Sequence, residues 1–397
     1  MNQARTLAWL VLAMCFVVLL INSGARFSIG LVLKPMTDEL DWSRTAISSA
    51  VTMFMVITAA SLPFMGRLVD RFGARRVLTT SLAVSAGALA VTPLASSPWQ
   101  FFVLYGVFFA IGSAGTSITP IGVMLSRWFP DRLGMANSIA ISGMGLGQLL
   151  VIATLTATLT EVGWRGAYWA IALATLMVCL CVGFLPSEPV AAESTDSAKS
   201  AEPPVKFRDA LKNRDFQWLL GIYAVCGFQD FLIATHIVAF ALDSNVDATI
   251  AGNMLALMGL AGLAGVLLAG WLNDRRGPLE PTAACFLLRI VIFGILASEP
   301  NPTALVISAL LFGATFWATA PLTIIFARRL FGAAMLGVAS GSITMIHHAS
   351  GGLGALTGAL SADVFGNYQT IMTLGLAMSV VTLAMCWPLR GTFSARA

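Results

Sequence analysis

The feature that most constrains this chain is a succession of about twelve apolar runs separated by short polar punctuation. Each is near the roughly 20 residues an α-helix needs to cross a hydrocarbon core of about 30 Å. They fall at about 6–34, 43–66, 76–96, 99–127, 133–160, 163–186, 215–242, 248–273, 280–298, 302–328, 333–361 and 367–388. Charged residues make up only 11% of the 397 positions and apolar ones 57%, which excludes an ordinary soluble domain, where about 25% are charged. The expected fold class is an all-α polytopic membrane protein, because in hydrocarbon each segment must satisfy its own backbone amides and runs of this length do so as helices. The first run has no short-hydrophobic, small-residue cleavage pattern and reads as a retained helix rather than a signal peptide.

One long polar segment, 187–214, interrupts the series between the sixth and seventh runs. It holds Glu188-Pro189, an acidic and Ser/Thr-rich stretch from Glu193 to Ser197, and Pro203-Pro204, a composition that cannot bury a core. It therefore reads as a flexible linker between residues 1–186 and 215–397, six helices each. With the N-terminus in the cytoplasm, the inner side carries Arg5, Arg67, Arg71, Arg75, Arg76, Arg127, Arg132, Lys199, Lys206, Arg208, Lys212, Arg214, Arg275, Arg276, Arg328, Arg329, Arg390 and Arg396. The outer side has only Lys34, Arg44 and Arg165. The positive-inside rule then puts both termini and the linker in the cytoplasm, for a multi-pass protein of the inner (cytoplasmic) membrane. Arg26 and Arg289 remain, and both lie within expected spans.

The two halves repeat. Gly112, Pro120 and Arg127 around helix four recur as Gly313, Pro321 and Arg328 around helix ten, a constant offset of 201 residues. After helix two the chain reads Gly66-Arg-Leu-Val-Asp70-Arg71-Phe-Gly73-Ala-Arg75-Arg76, and after helix eight Gly270-Trp-Leu-Asn-Asp274-Arg275-Arg276-Gly277, an offset of 204. The first of these segments resembles the G-x-L-x-D-R-x-G-R-R motif of the major facilitator superfamily, and with the span count and linker the resemblance covers essentially the whole chain. It implies the major facilitator fold, twelve transmembrane helices in two pseudo-symmetric six-helix bundles. Within that superfamily, Arg26-Phe-Ser-Ile-Gly30 with Lys34-Pro35-Met36, Asp41-Trp42-Ser43-Arg44 and Arg127-Trp128-Phe129 are similar to the monocarboxylate and oxalate/formate carriers. So are Gly227-Phe-Gln-Asp230, leading to His236 and Asp243, and His347-His348 before Gly351-Gly352-Leu-Gly354.

The resemblance assigns a gating role to Gly66, Asp70, Arg71, Gly73, Arg75 and Arg76: the cluster holds the two halves together in the outward-open state and releases during switching. Asp274 and Arg275 would be the second-half counterpart. A carboxylate at Asp70 can accept charge-assisted hydrogen bonds and cap a neighbouring helix N-terminus, while Gly66 and Gly73 permit close approach and a tight turn. The blander reading is a topology-setting basic loop with one incidental acid.

Ionisable side chains at membrane depth cost about 2.5 to 3.5 kcal/mol on insertion scales, so each is a candidate for function. At about 1.5 Å of rise per residue, Asp230 stands roughly 22 Å from the inner end of helix seven, and His347 and His348 of helix eleven and Gln148 of helix five reach the same layer. The superfamily resemblance puts helices one, four, seven and ten on the central path, which adds Thr116, Ser117 and Trp317. Arg26, with Asn22 one turn earlier on the same face, either clamps an entering carboxylate with its planar donor fork or snorkels outward or pairs with Asp38 or Asp243. Arg289 sits in a helix the family fold places at the periphery, where snorkelling or an interhelical ion pair competes with a substrate role. All three histidines, His236, His347 and His348, lie in spans, and imidazole suits proton coupling or substrate hydrogen bonding. His347 and His348 point about 100° apart, so one of them is structural. Asp230 is a second proton-carrier candidate, against a reading as a hydrogen-bonded interhelical acid. Gly143, Gly145 and Gly147 of helix five, with Gly351, Gly352, Gly354 and Gly358 of helix eleven, allow close backbone packing.

The six cysteines, Cys15, Cys179, Cys181, Cys226, Cys285 and Cys386, all lie in apolar runs without metal-ligand spacing and read as buried small hydrophobes. No metal or cofactor is expected, and no G-x-x-x-x-G-K loop for direct use of ATP is present. No basic patch with interleaved aromatics suggests nucleic acid. These observations favour a secondary transporter that works by alternating access as a monomer among membrane lipids, moving a small organic anion such as a monocarboxylate by proton symport. Anion exchange and efflux of an amphipathic compound remain alternatives. An enzyme would need an acid/base or metal constellation such as H-E-x-x-H, and a sensor on a transporter scaffold an added output domain; neither is visible.

Overall fold

The computed structural model describes residues 2–42, 44–185, 210–298, 301–333 and 335–393. Most of the expected linker, 187–214, lies outside these residues. The described elements are all helical. Helix one is Asn2–Phe27, extended after Ser28 by a short helix Ile29–Leu40; helix two is Arg44–Phe72 and helix three Ala74–Val91. Helices five and six form one hydrogen-bonded run, Leu133–Gly183, broken where Gly163 takes φ +66°. Helices seven, eight and nine are Arg214–Asp243, Ala248–Arg276 and Leu279–Ala297; eleven is Leu336–Phe365, and twelve is Gln369–Met385.

Helices four and ten are not the single continuous spans, 99–127 and 302–328, that hydropathy suggests. Helix four begins as Pro98–Val103, widens into a π-helical stretch Leu104–Phe109, continues as Ala110–Gly115, and resumes as Ile118–Trp128. Ser117 between the last two pieces is extended (φ −77°, ψ −178°). Helix ten runs Pro302–Phe316 and resumes as Leu322–Phe331. A proline lacks the amide that would bond one turn back and clashes with the carbonyl there, so the helix gives way on the N-terminal side of Pro120 and of Pro321. These are the prolines related by the 201-residue repeat, and the duplicated unit breaks in the same place twice.

Nine of the described helices are long and apolar enough to cross a membrane; helices ten and twelve are shorter apolar pieces, and helix eleven has 30 residues. The chain groups into two compact units, Met1–Pro204 with Ala333–Gly341, and Val205–Gly332 with Ser342–Ala397. The start of helix eleven thus belongs with the first unit.

The core of the first unit is aromatic: Phe54, Phe101, Tyr105, Phe109, Trp164 and Tyr168 are buried together, with the Tyr105 ring 5.3 Å from both Phe101 and Phe109. Helix one lies directly on helix five, where Gly143 and Gly147 meet the carbonyls of Phe16 and Leu20 and any Cβ would overlap them. The second unit buries Phe240, Met254, Phe293, Phe312 and Tyr368, and packs helix eight on helix ten through Gly265 and Gly313. Five cysteines are buried as expected, but Cys181 is exposed, on the outward face of helix six.

Candidate functional site

In the second unit a carboxylate is held in the middle of the bundle. Asp230 is 3% exposed, and its Oδ1 accepts from Arg289 Nη2 at 2.5 Å, while its Oδ2 lies 3.1 Å from His347 Nε2 and accepts from Cys226 Sγ at 3.4 Å. Arg289 is fully buried (0% exposed), which removes the snorkelling reading and leaves the interhelical ion pair. Its guanidinium is fixed on every side: Nε donates to Thr315 Oγ1 (3.1 Å), Nη2 to the Thr315 carbonyl (3.3 Å) and Nη1 to Gln229 Oε1 (3.3 Å), with the Phe312 ring 4.7 Å away. Gln229 is tied in turn to Ser379 Oγ (2.7 Å) and the Gly375 carbonyl (2.9 Å). A charge buried this deeply persists only when paired and hydrogen-bonded, and this one is both.

Two backbone features make the site. Gly227 lies against the His347 carbonyl, where a Cβ would overlap it, so helix seven approaches helix eleven closely enough for Asp230 to reach the imidazole. The break in helix ten places Thr315 and Thr319 beside the cluster, with Thr319 Oγ1 3.3 Å from Cys226 Sγ.

The other histidines have ties of their own. His236 Nε2 contacts the Ala355 carbonyl at 2.8 Å and therefore carries the proton there, leaving Nδ1 to accept from Tyr368 OH at 3.4 Å. That is a structural tie between helices seven, eleven and twelve. His348 donates from Nδ1 to the Thr344 carbonyl one turn back (2.9 Å), and its ring packs on Phe231. Of the expected layer, Asp230 and His347 are joined; Trp317 ends the first half of helix ten, with its ring against Phe316.

In the first unit, Arg26 is half-buried in an apolar, aromatic setting. Its Nη2 contacts Met55 Sδ (3.3 Å), the Phe27 and Phe54 rings lie 5.6 and 5.8 Å from the guanidinium carbon, and Tyr105 OH donates to its carbonyl (3.1 Å). Among the described residues it has no carboxylate partner; the side chain of Asp38 lies outside them. Asn22 Oδ1 accepts from Ser113 Oγ (2.9 Å), and its Nδ2 donates to the carbonyls of Ser113 and Thr116, the latter being the carbonyl that Pro120, without an amide hydrogen, cannot bond. The Thr116 hydroxyl is satisfied by its own helix, Gln148 is half-buried, and Ser117 Oγ is buried without a partner.

Asp70 is directed at backbone. Its Oδ1 accepts from Gly337 N (2.8 Å) and its Oδ2 from Val338 N (3.0 Å), capping the first turn of helix eleven, with Arg127 the cation that acts on it. Gly66 and Gly337 face each other so closely that a Cβ on either would overlap the other's carbonyl. Arg75 Nη1 donates to the Leu185 carbonyl (2.6 Å), whereas Arg71 and Arg76 are exposed. Gly73 and Gly277, related by the 204-residue repeat, have φ +84° and +86°, a region that penalises any side chain. In the second copy Asp274 accepts from Asn273 (3.0 Å) and Arg275 stacks on Trp271 (4.2 Å).

The family model of the Major Facilitator Superfamily matches residues 15–355. The chain belongs to that superfamily. It is 27% identical over 281 residues to the uncharacterized MFS-type transporter YcxA of Bacillus subtilis, covering 70% of this chain and 68% of that one. It is 26% identical over 296 residues to monocarboxylate transporter 11 of Mus musculus (74% and 66% covered) and 23% over 300 residues to the oxalate:formate antiporter of Oxalobacter formigenes (75% and 70%). The chain therefore spans about two thirds of these relatives' length. Among solved structures, a variant of the Escherichia coli fucose:proton symporter FucP aligns with a TM-score of 0.74 at 15% identity, covering 95% of this chain and 97% of that one. This superfamily member is thus a multi-pass transporter of a small-molecule substrate with the twelve-helix fold, similar to the monocarboxylate and oxalate/formate carriers.

Cys226, Gln229, Thr315 and Thr319 also belong to the polar cluster, and none of them is a site candidate in the sequence. Gln229 lies within the Gly227–Asp230 segment, and Cys226 precedes Asp230 by one helical turn and shares its face. The two threonines come to the cluster through the break in helix ten.

Proposed function

We propose that this transporter moves a small organic anion across the cytoplasmic membrane by alternating access, coupled to protons, with Asp230 and His347 as the proton-carrying pair and Arg26 as the anion receptor. The observation that carries the proposal is a buried carboxylate shared between a permanent cation, Arg289, and a protonatable one, His347. Arg289 holds one oxygen in place, which leaves the other to the imidazole. The groups facing this pair are Cys226 and Gln229 from helix seven, Arg289 from helix nine, Thr315 and Thr319 from helix ten, and His348 from helix eleven. His347 is 20% exposed and offers the proton a way in and out. Arg26, lacking a carboxylate partner among the described residues, offers a donor fork to a carboxylate. The similarity to a monocarboxylate transporter supports that substrate class.

On this reading both termini and the linker at 187–214 are cytoplasmic, the bundles comprise 1–186 and 215–397, and the chain acts as a monomer. The Asp70 cap on helix eleven is the gating contact, made and broken in each cycle, with Asp274 and Arg275 its second-half counterpart. Uptake of labelled mono- and dicarboxylates into proteoliposomes, with and without an inward proton gradient, tests the function. Gradient-stimulated accumulation of a monocarboxylate that is lost in Arg26→Ala and in His347→Gln is the expected result. Unchanged uptake in both variants sinks the site assignment. The similarity to an oxalate:formate antiporter favours a second reading, exchange, which would show as uptake only into vesicles preloaded with counter-substrate.

A further inference from the structure

We infer that Cys226, Asp230 and His347 form a binding site for a thiophilic divalent cation of the zinc class. One ligand atom from each, a thiol sulfur, a carboxylate oxygen and an imidazole nitrogen, lies within 4.8 Å of the other two. The sulfur is 3.4 Å and the nitrogen 3.1 Å from the same oxygen, Asp230 Oδ2. Zinc bonds of about 2.0 to 2.3 Å put neighbouring ligands of a tetrahedron roughly 3.3 to 3.8 Å apart, so these atoms need only small side-chain movements to close on one ion. The mixed sulfur, nitrogen and oxygen set suits zinc and cadmium, whereas magnesium and calcium require several oxygens and find a single carboxylate here.

The Asp230 carboxylate divides its work: Oδ1 stays with Arg289 and Oδ2 faces the site, so the cation does not have to break the buried ion pair. Arg289 Nη1 lies 3.6 Å from Cys226 Sγ, and its positive charge holds the affinity below that of a site without a neighbouring cation. Gln229 and Thr315 anchor Arg289, and thus Asp230, from behind. Three protein ligands leave a fourth position for water or for the Thr319 hydroxyl, and His347, the most exposed of the three, marks the entrance. The ion would occupy both atoms of the Asp230–His347 pair and arrest transport; this consequence, unlike the site itself, rests on the proton-coupling reading.

The test is titration of the purified full-length protein with Cd2+, read by the ultraviolet thiolate-to-cadmium charge-transfer band, with Zn2+ as competitor. One saturable equivalent is expected. It should be absent in Cys226→Ser, at least about tenfold weaker in His347→Ala, and unchanged in Cys285→Ser and Cys386→Ser, which alter the other buried thiols of this unit. Size-exclusion profiles matching the parent establish that the two ligand variants are folded. A band that persists in Cys226→Ser, or an affinity indifferent to His347→Ala, overturns the site. Zn2+ that binds as expected yet leaves proton-driven uptake intact would keep the site and overturn the proton-coupling reading instead.

Discussion

At Asp230 one carboxylate serves two partners with different duties, and the consequences separate experimentally. Arg289 is a fixed cation with every donor edge occupied, so removing it strands a buried negative charge. Arg289→Gln should cost about 3 to 5 kcal/mol of stability, and Asp230→Asn a similar amount because it strands the guanidinium. The double variant Asp230→Asn/Arg289→Gln should recover most of that loss, which a double-mutant cycle of detergent-solubilised protein measures directly. Single variants within about 0.5 kcal/mol of the parent would mean that the pair is not coupled. His347 behaves otherwise: it is partly exposed and meets Asp230 through one ring nitrogen, so His347→Gln should fold normally, keep counterflow, and lose most of the stimulation by an inward proton gradient. His236, tied to a backbone carbonyl and to Tyr368, should show the reverse pattern, with His236→Ala lowering stability and leaving the gradient response in place.

The elements are positioned by absences of side chain as much as by their presence. Gly227 lets helix seven touch the carbonyl of His347, and the Cβ of Gly227→Ala would have to displace backbone, not a flexible side-chain tip. That variant should lose about 1 to 3 kcal/mol and most proton-driven uptake, because Asp230 is carried away from His347. Gly259→Ala is the matched control: it is also a helical glycine, with nothing within 4 Å of the added Cβ, and should be neutral or slightly stabilising. Equal losses in the two would show that helix propensity, and not the close approach, sets the cost. Such contacts also mark the limit of what the sequence discloses. Hydropathy and the glycine and proline spacings contain the helix count, the repeat, the arginines after helix two, and the common level of Asp230 and His347. They do not contain the partner of Arg289, since an ion pair between helices seven and nine depends on how those helices rotate about their axes. Nor do they contain the interruption before Pro321, which a hydropathy window averages away although it brings Thr315 and Thr319 beside Cys226.

For the whole molecule, the inventory of charges sets the electrical character of transport. On the proposed reading Arg26, which has no carboxylate partner among the described residues, receives a single negative charge. On the same reading the buried Arg289–Asp230 pair stays intact and the cluster gains one proton, at Asp230 and His347. One monovalent anion moving with one proton carries no net charge. Uptake of a monocarboxylate should therefore respond to an imposed proton gradient and ignore a potassium diffusion potential of either sign, whereas a dicarboxylate, if accepted at all, should carry charge and respond to that potential. At a fixed gradient, lowering external pH should raise uptake because the loaded form of the pair is protonated; the same change in His347→Gln should have little effect. Vesicles with valinomycin and set potassium concentrations, with internal and external pH varied independently, separate these variables. Monocarboxylate uptake that is driven by inside-negative or inside-positive potential at equal pH would require a second titrating group or a second bound ion, and the one-proton assignment to Asp230 and His347 would then fail.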